Sequence, residues 1–90
     1  MEAAKTEKEE EFLVNDRFML VMDHLVEIRK CRNYADFWEQ LGYSKNLPQR
    51  TQKIKNHLQK VTITLLLQVG SKFGVNINYL LGFEEEIFRK

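Results

Sequence analysis

The stretch NYADFWEQLGYSKNLPQRTQKIKNHL, residues 33–58, decides the fold. Asn33 is a good N-cap, because its side-chain oxygen can accept from an orphan N–H of the first helical turn. Tyr34, Phe37, Trp38 and Leu41 then recur at i, i+3, i+4 and i+7, one face of a short helix. Gly42 stands where helices often end in a left-handed residue. Leu47, Thr51, Ile54 and Leu58 follow at spacings of four, three and four, which predicts a second helix. Pro48 suits its first turn, where the missing N–H has no helical partner. Two short helices around a tight Gly-containing turn have the layout of a helix-turn-helix.

The same periodicity extends outward in both directions. Phe18, Val21, Met22, Leu25 and Ile28 predict a preceding helix, with Asn15 or Asp16 as its N-cap. Thr62 can cap a helix with Ile63, Leu66, Leu67, Gly70 and Phe73 inward, ended by Gly74. Asn76 caps a short fifth helix, Ile77 to Leu81, closed by Gly82, and Ile87 and Phe88 are expected to fold back or meet a partner. The expected fold is all-α, a compact bundle of five short helices. Trp38, Phe37, Phe73 and Tyr79 read as core.

Charge divides the chain. Residues 1–11 carry five Glu and two Lys and are expected to form a disordered acidic arm. Residues 12–90 are expected to form the single domain, with 43% apolar residues across the chain to build a core. From Gln40 to Phe83 there are 44 residues without Asp or Glu, carrying Lys45, Arg50, Lys53, Lys55, Lys60 and Lys72. Asn46, Gln49, Gln52, Asn56, His57 and Gln59 lie among the first five cations. Cations attract phosphates and side-chain amides pair with base edges, so this composition points to nucleic acid rather than catalysis.

Other chemistries lack a constellation. His24, His57 and one Cys are too scattered for a metal site, and no cofactor or small-molecule substrate is implied. Cys31 has Lys30 and Arg32 beside it, which would lower its pKa, but no catalytic or resolving partner. The carboxylates show no pairing for acid–base work, so the chain reads as a non-enzyme. A polar N-terminus without a signal-peptide pattern, a single Cys and no membrane-length apolar run predict a soluble cytoplasmic protein.

The segments NDRFMLVMDHLVEIRKCRNYADFWEQLGYS (15–44) and VTITLLLQVGSKFGVNINYLLG (61–82) carry a family resemblance. The ending FGVNINYLLG, followed by FEEEIF, is similar to the F-x-V-N-x-x-W-L-L-x-G closure of lambda-repressor-like DNA-binding domains of the Cro and XRE type. These occur in many bacterial and phage regulators, and the resemblance covers residues 15–88. Trp38 stands where the family pattern has a small residue, and no Gly follows the second motif helix.

The resemblance implies that Asn33–Gly42 is the supporting helix and turn, with the segment around Pro48–Asn56 the recognition helix in the major groove. Leu47, Thr51, Ile54 and Leu58 would face inward, leaving Gln49, Arg50, Gln52, Lys53 and Asn56 outward with Asn46 nearby. Gln49 and Arg50 would reach base edges. Lys45, Lys53, Lys55, Lys60, Asn33 and Tyr34 would hold phosphates. The implied function is sequence-specific binding of double-stranded DNA as a small transcriptional regulator, a repressor in the first instance. A homodimer would read two half-sites, with Phe83, Ile87 and Phe88 as interface candidates. The competing reading is a protein-interaction module, such as an antitoxin-like component, that has lost or supplements DNA binding.

Overall fold

The structure, a computed structural model, describes residues 7–43 and 48–89, with side chains from Phe12 to Tyr43 and from Gln49 to Arg89. Five helices follow in order: α1 (Glu7–Glu27), α2 (Tyr34–Gln40), α3 (Pro48–Lys55), α4 (Ile63–Phe73) and α5 (Ile77–Leu80). Among the described residues there is no strand, only an isolated bridge between Val75 and Phe88. The expected all-α, five-helix architecture is therefore the observed one. No helix of the described residues is long and apolar enough to cross a membrane.

The core is aromatic at its centre. Phe37 is fully buried, stacked on Phe73 at 5.6 Å and meeting Phe18 and Trp38 edge-on at 5.7 and 5.1 Å. Offset-stacked and edge-on pairs favour the ring quadrupoles and add to the burial of large apolar area. Phe18, Val21, Met22 and Leu25 supply the α1 face as the spacing predicts, while Ile28 is 41% exposed. It lies past the helix end, where Arg29 takes a left-handed φ of 65° and Lys30 N–H closes on Leu25 O at 2.9 Å.

The local start and stop signals are where the sequence put them. Asn33 Oδ1 accepts from Asp36 N, Thr62 Oγ1 from Leu65 N, and Asn76 Oδ1 from Asn78 N. Gly74 ends α4 at φ 70°, a region closed to most side chains. Gly70 lets α5 approach α4, since a Cβ there would sit 3.1 Å from Ile77. The buried side of α4 is Leu65, Leu66, Val69, Gly70 and Phe73; Ile63 and Leu67, expected inward, are 72% and 59% exposed. The C-terminal tail folds back: Ile87 O accepts from Asn76 N at 2.7 Å, Arg89 N donates to Gly74 O, and Ile87 and Phe88 pack on the core.

The start of α1 departs from expectation. Glu7 to Glu11, predicted to lie in an acidic arm, are its first residues, so Asn15 is inside the helix and not its cap. Asn is a poor interior residue in a helix because its amide competes for backbone partners. Here the amide is wholly buried and looks outward from α1, donating to Ile54 O at 3.0 Å and Gln59 O at 2.7 Å. Its oxygen accepts from Val61 N at 3.2 Å. One side chain thus satisfies the end of α3 and both sides of the loop that leaves it.

Cys31 is also corrected. Its thiol is 1% exposed, and burial, then the charge of Asp36, pushes its pKa up to about 11 rather than down. Lys30 and Arg32 point to solvent and do not reverse this. Below the ordinary thiol value both folded and unfolded chains hold the proton, and the thiol's contribution to stability is complete. Above it the unfolded chain ionises first, so stability falls as pH rises towards about 11.

Two outcomes follow. Asn15→Ala leaves buried backbone groups without partners and is expected to cost about 3 kcal/mol in denaturant titration, with the slope unchanged. A loss under about 1 kcal/mol would mean that water replaces the amide. Iodoacetamide at pH 8 is expected to label Cys31 in the folded chain on the order of tenfold or more slowly than in urea; equal rates would contradict the buried thiol.

Candidate nucleic-acid interface

α3 is eight residues long and holds to the domain by few groups. Thr51 and Ile54 are buried, and Trp38 Nε1–H donates to Thr51 Oγ1 at 2.8 Å. The indole on α2 therefore fills the space between the two helices and bonds across it. After Lys55 the chain turns at His57, whose φ of 61° is the left-handed conformation usually left to glycine. Leu58 N–H closes on Lys53 O at 2.8 Å and His57 N–H on Ile54 O at 3.2 Å, the bonding pattern of a helix ending in a left-handed residue.

His57 is held there by its side chain. Its ring stacks on Phe12 at 4.5 Å with planes 3° apart, and Nε2 is hydrogen-bonded to Asp16 Oδ1 at 2.7 Å. Both partners are on α1. Together with Asn15, they fasten the C-terminal end of α3 to the first helix.

The solvent side of α3 collects most of the residues named from sequence. Gln49, Gln52, Lys53 and Asn56 line one shallow depression, and Leu58 closes it. Leu58 was expected inward and is 75% exposed, because the turn at His57 carries it out of the helical register. Lys55 and Lys60 are exposed beyond this face. Lys45, Asn46 and Leu47 lie outside the described residues.

Arg50 is not part of that depression. It is half-buried, its guanidinium 4.7 Å from the centre of the Tyr43 ring and 5.4 Å from that of Trp38. The two rings meet edge-on at 5.6 Å, and Tyr43 O–H donates to Gln68 Oε1 on α4 at 2.9 Å. A cation over two aromatic faces gains on the order of 1 kcal/mol or more, enough to bias a flexible side chain to one place. Tyr43 had not been singled out in the sequence; its place in the turn after an aromatic helix face was the available signal.

Asn33 and Tyr34 sit elsewhere, with Asp23 and Val26 in a separate hollow. The oxygen of Asn33 is engaged as the α2 cap, and Tyr34 O–H donates to Asp23 Oδ1. That bond, then burial, then the charge of Asp23, pushes the Tyr34 pKa up to about 12. Asp36 accepts from Arg32 N–H and from the Gln40 amide, both at 2.9 Å, which hold its carboxyl below the ordinary range. Two carboxylates beside the start of α2 oppose a phosphate there, whereas α3 itself carries no carboxylate and Asp16, beside its end, is bonded to His57.

No family model, curated protein or solved structure matches this chain. The geometry of α3 and its surroundings carries the functional argument.

His57→Gly and His57→Ala both remove the stack on Phe12 and the bond to Asp16, but only Ala must hold a Cβ at positive φ. Thermal unfolding is expected to show the Ala variant less stable than the Gly variant by about 1 kcal/mol. Equal stability would mean that the turn relaxes once the ring is gone.

Proposed function

We propose that this chain is a sequence-specific double-stranded-DNA-binding regulator of the lambda-repressor-like type, in which α2 and α3 act as a helix-turn-helix. The observation that carries the reading is the solvent face of α3. Gln49, Gln52, Lys53 and Asn56 stand together there, within 44 residues that hold no carboxylate side chain. An α-helix fits the major groove, amides match base-edge donors and acceptors, and lysines neutralise phosphates.

Under this reading the roles within α3 divide by geometry. Gln49, Gln52 and Asn56 read bases from the open face. Arg50, tied to Tyr43 and Trp38 at the flank, positions the DNA backbone with Lys53, Lys55 and Lys60. A short recognition helix makes few base contacts, so the active form is a homodimer on paired half-sites about 34–36 Å apart. Of the three apolar residues considered for its interface, Ile87 and Phe88 are packed on the core, while Phe83 is 78% exposed. The regulatory outcome is repression at a promoter in the cytoplasm.

The test is titration of wild type and variants on a selected duplex and a random duplex across salt concentrations. Lys55→Ala and Arg50→Ala are expected to weaken both duplexes alike, with the log–log salt slope shallower by about 0.9 per lost phosphate contact. Gln52→Ala is expected to cost about 1–3 kcal/mol on the selected duplex only. Absence of binding to any duplex at low salt would remove the DNA reading and leave the protein-interaction module in its place.

A further inference from the structure

The open face of α3 has a one-sided chemistry. Adenine is the base whose major-groove edge offers an acceptor, N7, beside a donor, the N6 amino group. A side-chain amide offers the complementary donor and acceptor, and this face holds three: Gln49, Gln52 and Asn56. Thymine adds a methyl group, which an apolar side chain can cover. Leu58, 75% exposed, borders the same depression as the amides.

The groups that would favour G·C are withheld. Cytosine's amino group is met best by a carboxylate acceptor; α3 carries none, and Asp16, beside its end, is engaged by His57. Guanine's two acceptors are best met by an arginine fork, but the Arg50 guanidinium lies over Tyr43 and Trp38. Among the described residues Lys53 is the remaining cation on the face, a point charge that suits phosphate as well as guanine.

We propose that this face selects an A·T-rich half-site through the major groove. Gln49, Gln52 and Asn56 take adenine edges and Leu58 covers a thymine methyl. The inference rests on the double-stranded-DNA reading above and deepens it by naming the base chemistry of the target.

The experiment uses the full chain. Duplexes selected from a random pool are expected to carry an A·T-rich half-site. Each A·T pair of that half-site is then replaced by inosine·cytosine, which keeps the minor-groove face of A·T but presents the major-groove face of G·C. Binding is expected to fall by about tenfold or more, the worth of one good bidentate contact. Replacing single thymines by uracil removes only the methyl and is expected to cost about fourfold at one position, the worth of one buried methyl group. That cost should vanish in Leu58→Ala, whose fold is checked by its circular dichroism.

Three results would overturn the inference. Binding with a steep salt slope but a G·C-rich or featureless selected site defeats it and leaves the DNA reading intact. An A·T preference that survives inosine substitution assigns readout to the minor groove and defeats it as well. Failure to bind any duplex at low salt defeats the DNA reading, and this inference with it.

Discussion

The buried amide of Asn15 is the constraint on which the placement of α3 depends. An eight-residue helix has no stability of its own, since nucleation is costly and its last carbonyls lack partners. A deep apolar face cannot make up the difference here, because among its described side chains only Thr51 and Ile54 are buried. Asn15 resolves this by bonding Ile54 O at the end of the helix and Gln59 O and Val61 N in the following loop. It sets where α3 stops and how the chain leaves it. Trp38 on Thr51 and Asp16 with Phe12 on His57 fix the helix from two further directions. A helix fastened by its backbone and by a few specific bonds can leave its outer face entirely polar.

Trp38 shows how one large residue sets the chemistry between two short helices. A small residue in its place would let the two helices close by backbone contact. The indole instead supplies volume, an N–H for Thr51 and a π-face for Arg50. Tyr43 completes the shelf, and Gln68 anchors its hydroxyl to α4. The strongest hydrogen-bond donor of α3 is thereby drawn to the flank, which leaves the amides to define the open face.

What could be read from the sequence is what depends on near neighbours. The caps Asn33, Thr62 and Asn76 and the stop at Gly74 are decided within four residues, and each is found as expected. The inward face of α1 was legible because Phe18, Val21, Met22 and Leu25 recur at i, i+3, i+4 and i+7, although residues 18–22 are all apolar and Leu20 among them is exposed. The run ITLLL at the start of α4 is apolar on too many sides for periodicity to choose a face, so Ile63 and Leu67 were misplaced. Asn15 read as a cap because its real partners lie 39 to 46 residues away. The direction of Arg50 and the exposure of Leu58 turn on Tyr43 and His57, whose conformations no short window contains. Cys31 was judged by its neighbours in sequence, whereas burial among core residues governs its thiol.

The end of α3 also concentrates local conflicts of a kind that folded domains rarely keep without cause. His57 occupies a backbone conformation that disfavours a Cβ, and Leu58 is exposed where a helix-ending turn commonly tucks an apolar side chain inward. Each costs stability, and a glycine followed by a polar residue would relieve both. The stack on Phe12 and the bond to Asp16 offset the first and hold the strained turn in place. The second is left 75% exposed. Observed strain of this kind is a reason to look for function at the same spot. Here that spot is the rim of a face where three amides and a lysine meet solvent together, so the exposed leucine belongs to the same surface as the residues that would recognise a ligand.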